Sequence, residues 1–359
     1  MTGAQESKDG PDRVCIRAPN WVGDVVMATP AFRAVRQGLP RARVTLVVLA
    51  SVEPVVRGAP WFDEIIVYRP GRGPAAGEFL RCVGRLRKSA QELGLVLPNS
   101  FSSALMLRLA GVRRRVGYAR DMRSFLLTDA VPRPTENGRF KPTYMVDYYL
   151  ALCERAGLNP AGRQMELPYS EADMKRAREL LRARGLDPGA PLVLMHPGAG
   201  FGPSKRWPNE SFARLAEVLH AECGAQIALV AGPAERANVD AIIAGSKADI
   251  TDLTASGVDL HLLKCVVATS ALLVTTDSGP RHYGVALGVP TICLMGPTHP
   301  GYSTGTQPND RVVRVEVDCG PCQLKDCPRD HRCMADITPE VAARACLETL
   351  SLGKKARDT

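Results

Sequence analysis

The sequence predicts an α/β protein made of two successive doubly wound units. Short, β-rich apolar runs alternate with apolar-periodic helical segments along almost the whole chain, the pattern of parallel sheets with crossover helices. The alternation pauses in a turn-rich stretch at 131–142 and a loop-like stretch at 158–168, then restarts. With 359 residues, 45% of them hydrophobic, the chain suits about two domains.

The first unit is assigned to residues 13–165. An apolar strand at 14–16 runs into the turn 17–24, and a periodic helix follows over 24–37. Strands come next at 44–49 and 65–67, then a basic helix near 79–93, strands at 93–97 and 115–117, and a helix at 143–156. The second unit covers 166–337. Ser170-Glu171-Ala172-Asp173 opens a long charged helix with a capping-box pattern. Strands at 191–195, 226–231, near 250, at 271–275 and at 291–294 then alternate with helices at 209–222, from 235, at 258–268 and after 275. A last helix begins at 338, in a terminal segment 338–352 that can close back onto the first unit.

A formal net charge of +9 suits an acidic partner: nucleic acid, an anionic membrane surface or a phosphorylated substrate. Charge alone does not choose among them. No stretch reaches the roughly 18 consecutive apolar residues of a membrane span. The opening MTGAQESKDGPD is polar and mixed in charge, unlike a secretory signal, so a cytoplasmic protein is expected.

In open α/β sheets, ligands sit beyond the carboxyl ends of the strands, and three turns there have unusual compositions. RAPNWVGDVVMATP, residues 17–30, places Gly23-Asp24 at a helix mouth. With one glycine it is no dinucleotide fingerprint, and an acid there is either a favourable cap or a catalytic group. HPGAGFGPSKRWPNESF, residues 196–212, spaces Gly198, Gly200 and Gly202 before Lys205-Arg206. Glycines admit close backbone approach, but the spacing is not that of a P-loop. TTDSGPRHYG, residues 275–284, ends an apolar run in an acid, a hydroxyl and a glycine before Pro280. Helix starts of this kind hold anions through their outward N–H groups. Two phosphate-suited turns in one half point to a pyrophosphate between them.

Taken in order, PNWVGDVVMATPAFRAVR, HPGAGFGPSKRWP, GPAER and TTDSGPRHYGVALGVPTICLMGP resemble the motifs of the lipopolysaccharide heptosyltransferases. These are inverting enzymes of glycosyltransferase family 9, and the likeness is greatest to their heptosyltransferase II branch. It spans nearly the whole chain, about 14–350. The resemblance implies a GT-B fold, two Rossmann-like domains facing across a cleft with the nucleotide sugar on the C-terminal one. It also implies an ADP-heptose donor (ADP-L-glycero-D-manno-heptose) and heptosyl-Kdo2-lipid A, the lipopolysaccharide inner core, as acceptor. Asp24 matches the family's catalytic base and Lys205 its phosphate lysine. Gly200, Asp277, Ser278, Gly279 and His282 fall on the donor-diphosphate turns, Glu235 near a ribose-binding acid, and Val258 near the residue whose backbone meets adenine. Arg281 stands where hydrophobic residues are common in the family and is expected to reach phosphate or face solvent.

The chemistry suits these residues. A sugar hydroxyl attacking an anomeric carbon needs a base, which Asp24 supplies. The leaving ADP gains charge, which Lys205 and the helix amides stabilise. No Asp-x-Asp motif is present, so no cofactor is expected for catalysis. Arg69, Arg72, Arg120 and Arg123, with Arg113–Arg115 nearby, are expected to bind acceptor phosphates and carboxylates bidentately or an anionic membrane surface. The expected location is then peripheral, on the cytoplasmic face of the inner membrane, and no nucleic acid is expected. Three rivals stay open: a family 9 transferase with another acceptor, a GT-B-fold sugar-nucleotide epimerase, and a non-catalytic nucleotide-sugar binding protein.

Of eleven cysteines, seven are dispersed in apolar or helical contexts as small core residues. The other four, Cys319, Cys322, Cys327 and Cys333, are spaced C-x2-C-x4-C-x5-C. Such density in a cytosolic chain suggests a structural zinc, with an iron–sulfur cluster or disulfides as alternatives and His331 as a substitute ligand.

Overall fold

The computed structural model describes residues 10–70, 75–187, 189–305 and 307–355. The chain separates into two compact units, Met1–Met165 and Glu166–Thr359.

The first unit holds a six-stranded parallel sheet of β1 (Arg13–Arg17), β2 (Arg43–Leu49), β3 (Glu64–Tyr68), β4 (Leu93–Val96), β5 (Arg114–Tyr118) and β6 (Asp129–Val131), ordered β3-β2-β1-β4-β5-β6. Its central strand pairs Val14 with Val44 on one side and Leu93 on the other. A small antiparallel hairpin, β7 (Thr135–Glu136) with β8 (Arg139–Phe140), follows. The helices are α1 (Val22–Met27), α2 (Thr29–Gly38), α3 (Glu53–Val56), α4 (Ala75–Lys88), α5 (Phe101–Leu109) and α6 (Met145–Arg155).

The single helix expected over 24–37 is in fact two, α1 and α2. Pro30 has no N–H to give Val26, which breaks the ladder there. The Thr29 hydroxyl donates to Val26 O instead, at 2.7 Å. α5, β6 and the hairpin lie outside the expected elements, being too short or too evenly apolar to show a period.

The second unit repeats the topology with β9 (Leu192–His196), β10 (Gln226–Leu229), β11 (Ile250–Asp252), β12 (Leu272–Thr276), β13 (Thr291–Leu294) and β14 (Asp310–Val313), ordered β11-β10-β9-β12-β13-β14 and all parallel. Around it run α7 (Glu171–Ala183), α8 (Asn209–Cys223), α9 (Arg236–Gly245), α10 (Leu262–Ala268), α11 (Gly279–Ala286), α12 (Pro300–Ser303), α13 (Arg332–Ala335) and α14 (Pro339–Lys355). The capping box of α7 is formed: Asp173 N donates to Ser170 Oγ at 3.2 Å and Ser170 N to the Asp173 carboxylate at 2.9 Å.

The last helix belongs to this second unit. Its Ala342, Ala343, Ala345 and Cys346 are buried in one apolar cluster with Phe212, Leu215 and Leu219 of α8. That burial covers its apolar face within the unit. In both sheets the winding reverses between two paired strands, β1 with β4 and β9 with β12. Ligands of doubly wound sheets bind at such reversals, beyond the strand ends.

Candidate active site

In the second unit, β9 and β12 end side by side, Thr275 paired with His196, so the two phosphate-suited turns become neighbours. Thr276 Oγ1 donates to Gly198 O at 2.6 Å and joins them. Lys205 leans from the first turn onto the second. Its ammonium donates to Asp277 O at 2.7 Å and to the Asp277 carboxylate at 2.8 Å.

Asp277 is 8% exposed, and its carboxylate also accepts from Arg281 at 3.0 Å, Thr298 Oγ1 at 2.7 Å and Ser303 Oγ at 3.0 Å. Burial by itself raises this carboxyl, but the charges of Lys205 and Arg281 outweigh it and hold the group well below the usual carboxylate range. Asp277 therefore orients the turn and remains an anion.

Arg281 neither faces solvent nor reaches outward for phosphate. It is fully buried, spanning Asp277 and Asp310, with the Asp310 carboxylate at 2.7 Å, and donating to Thr304 Oγ1 at 2.8 Å. A buried guanidinium needs this many acceptors, and two acids supply its counter-charge. Asp310 lies at the start of β14, and no sequence signal connected it to the turn.

The Ser278 N–H, expected to point at a phosphate, donates back to Thr276 O at 2.7 Å. The tight turn into α11 imposes this. Its hydroxyl pairs with Thr275 Oγ1 at 3.0 Å and His196 Nδ1 at 3.3 Å. Gly279 is the first residue of α11. His282, one turn in, is 4% exposed; burial, reinforced by the Arg281 charge, lowers its pKa to about 3. It is neutral at physiological pH.

The glycines separate into two kinds. A Cβ on Gly198 would meet Glu235 and His196 within 2.6 Å, and one on Gly202 would stand 2.5 Å from Lys325 O, so the protein itself requires both. A Cβ on Gly200 would meet nothing within 4 Å, leaving open space above an exposed loop. Glu235 accepts from Ala199 N at 2.6 Å and Gly232 N at 3.1 Å, which ties the glycine loop to the start of α9. Val258 is partly exposed, after Gly257 with φ +72°.

In the first unit, Asp24 is partly exposed in the first turn of α1, just past the end of β1. Its negative charge is felt by buried Tyr149, whose pKa burial and Asp24 both raise. Arg17, buried at the end of β1, donates to Asn20 Oδ1 at 2.7 Å. Sequence reading missed Arg17 because an arginine after a strand looks like a solvated one.

Arg123 overturns its expected role in acceptor binding. It is fully buried, donating to Pro98 O, to Ser100 O at 3.1 Å and to Tyr118 O at 3.1 Å. Its donors stitch the loops after β4 and β5 together and are not offered to a ligand. Burial lowers its pKa to about 10. Arg114 and Arg115 also turn inward onto backbone carbonyls. Arg69 is exposed and Arg120 half-buried, 5.2 Å from the Phe140 ring. Arg72 lies outside the described residues.

The four clustered cysteines are free thiols. Among the described residues no three His, Cys, Asp or Glu side chains are gathered so as to hold a metal ion. Burial, and then the charges of Cys322, Cys327 and Cys319, raise the Cys333 thiol to about 11, so the four cysteines share one electrostatic neighbourhood. Cys333 faces the apolar core beside Gly296, while Cys319, Cys322 and Cys327 are half-buried. His331, considered as a substitute ligand, donates from Nε2 to Ser204 O at 2.6 Å.

The profile of glycosyltransferase family 9 (heptosyltransferase) matches residues 79–332. The chain belongs to glycosyltransferase family 9. Similarity extends beyond the matched span of this family 9 chain. Lipopolysaccharide heptosyltransferase 2 of Salmonella typhimurium LT2 is 29% identical over 337 residues, 91% of this chain and 95% of that one. The structure of E. coli ADP-heptose LPS heptosyltransferase II aligns at TM-score 0.78 with 27% identity, covering 95% and 99% of the two chains. A family 9 glycosyl transferase from Veillonella parvula aligns at TM-score 0.84 with 21% identity, covering 94% and 97%, a likeness of fold. The protein is a glycosyltransferase, and its two Rossmann-like units are those of the GT-B fold.

Proposed function

We propose that this protein moves heptose from ADP-heptose to the inner-core heptose of lipopolysaccharide, with inversion. The observation that carries the reading is the junction of two turns at the β9–β12 reversal, held by Lys205 and Asp277, in a family 9 chain. An acceptor hydroxyl attacks the anomeric carbon while the Asp24 carboxylate takes its proton. The bond from that carbon to the diphosphate oxygen breaks, and the electron pair leaves with ADP. Lys205 meets the charge that grows there. Gly200 and Gly279 allow the diphosphate close to the backbone, and neutral His282 offers one hydrogen bond. Glu235 and Val258 take the ribose and adenine side.

The relative from Salmonella typhimurium is named a lipopolysaccharide heptosyltransferase and that from E. coli an ADP-heptose enzyme, which supports both substrates here. The acceptor is assigned to exposed Arg69 and half-buried Arg120, on the cytoplasmic face of the inner membrane. Among the described residues no helix is long and apolar enough to cross a membrane, so association is peripheral in this reading.

Purified protein incubated with ADP-heptose, with and without a truncated heptosyl-Kdo2-lipid A, tests the proposal. ADP release that requires the acceptor, with mass gain of one heptose on it, is expected. Release without acceptor sinks the transferase reading, and conversion of the donor to an isomer favours an epimerase.

A further inference from the structure

The cysteine-bounded segment 319–333 has no role in the reaction as described, yet it is fastened to one residue beside the site. Ser204, the neighbour of Lys205, uses all three of its polar groups on this segment. Its N–H donates to Lys325 O at 3.0 Å, its hydroxyl to Leu324 O at 2.6 Å, and its carbonyl accepts from His331 Nε2 at 2.6 Å. Ser204 is buried, so these bonds have no water to replace them.

The approach is close enough to dictate sequence on the other side. Gly202 stands where any Cβ would press on the Lys325 backbone. Its φ of 163° is extended, so proximity and not backbone freedom demands glycine. The segment in turn is anchored away from Ser204. Gln323 N donates to Pro297 O at 2.9 Å, Cys333 and Met334 pack against Gly296 and into the core, and Trp207 Nε1 donates to Ile337 O at 2.7 Å.

Between these anchors the turn Gly202–Lys205 is a single 3-10 turn, too short to hold its own position. We propose that segment 319–333, through His331, is the positioning element for Lys205: it fixes Ser204 and so sets where the Lys205 ammonium stands against Asp277. His331 does not touch the reacting atoms. It carries φ +59°, a left-handed conformation that histidine adopts more readily than most residues with a side chain, and its Nε2 reaches Ser204 O. The inference rests on Lys205 being the diphosphate lysine of the proposed reaction.

The test compares His331→Ala and His331→Gln with Lys205→Ala in the full chain, measuring ADP affinity calorimetrically and the KM of donor and acceptor separately. Both His331 variants keep the same backbone demand, so their difference reads the hydrogen bond. His331→Ala is expected to weaken ADP binding and raise donor KM by about threefold to tenfold, the effect of one ordinary net hydrogen bond, with acceptor KM unchanged. His331→Gln, whose amide N–H reaches the same carbonyl, is expected to restore both. If His331→Ala fails to fold, Ser204→Ala removes only the bond to Leu324 O and is expected to shift donor KM in the same direction. Wild-type ADP affinity in His331→Ala beside a weakened Lys205→Ala overturns this inference alone. So does a His331→Gln no better than alanine. Wild-type ADP affinity in Lys205→Ala removes the lysine reading, and this inference with it.

Discussion

The winding reversals of the two sheets have the same topology and opposite electrostatic designs. At the β9–β12 reversal the charges are paired in a buried alternating row, Lys205, Asp277, Arg281 and Asp310. At the β1–β4 reversal the buried cations spend their donors on neutral groups: Arg17 on Ala18 O and Asn20, Arg123 on three carbonyls. Asp24 is partly exposed in the first turn of a helix there. The difference suits the ligand proposed for each reversal. A diphosphate is a strong fixed charge, and a field set in advance by locked ions does not have to reorganise when charge grows on the leaving group. The attacking hydroxyl itself is neutral and needs a base within reach, with room for the sugar.

That contrast breaks most sharply at Asp24. Asp24→Asn keeps the shape and removes the proton acceptor, so turnover is expected to fall by about a hundredfold to ten-thousandfold while ADP affinity stays that of wild type. Steady-state kinetics with calorimetry of ADP binding checks it. Near-normal turnover would leave Asp24 as a first-turn acid favoured by the helix dipole, worth about 0.3–1 kcal/mol.

The second reversal is expected to break through stability instead. Arg281→Met leaves Asp277 and Asp310 buried without their shared cation, which costs about 3–5 kcal/mol. Urea denaturation measures it, and a loss below 1 kcal/mol would mean the row does not act as a unit. Lys205→Ala sharpens the same contrast from the ligand side. It removes charge-assisted bonds to a phosphate and is expected to weaken ADP binding by about tenfold to a hundredfold, leaving Arg281 to hold Asp277.

The smallest effect is a pH dependence. His282 has a folded pKa of about 3, below its ordinary value of 6.5, so the unfolded chain takes up its proton first. The stability it leaves intact is complete above pH 6.5 and drains away as pH falls from there toward 3. At pH 5 the loss is about 2 kcal/mol. His282→Asn is expected to flatten the melting-temperature profile between pH 7 and 5; an unchanged slope would place the titration elsewhere.

Legibility differed along the chain for physical reasons. The strands at 44–49, 191–195, 271–275 and 291–294 were readable because a strand buried on both faces is a continuous apolar run. The break at Ala28 was readable in principle from Pro30, yet the apolar period continues across it and masks it. β14 opens on Asp310, an acid that disguised a strand. At the site, Lys205 and the TTDSG turn announced themselves by composition. Arg123 and Arg281 misled, because sequence gives no sign of whether an arginine points into solvent or into a ring of carbonyls.

The alternation of apolar runs and periodic helices, a property of neighbours in the chain, was enough by itself to determine two parallel-sheet units and the residues at their strand ends. Only the tertiary structure decided what those residues face. Sheet pairing set β9 beside β12, brought Asp310 to Arg281 across 29 positions, and laid the cysteine segment on Ser204 across 127. Hydrogen bonds and ion pairs act over a few ångströms with no regard for sequence separation, so their partners are fixed by folding and cannot be read from spacing.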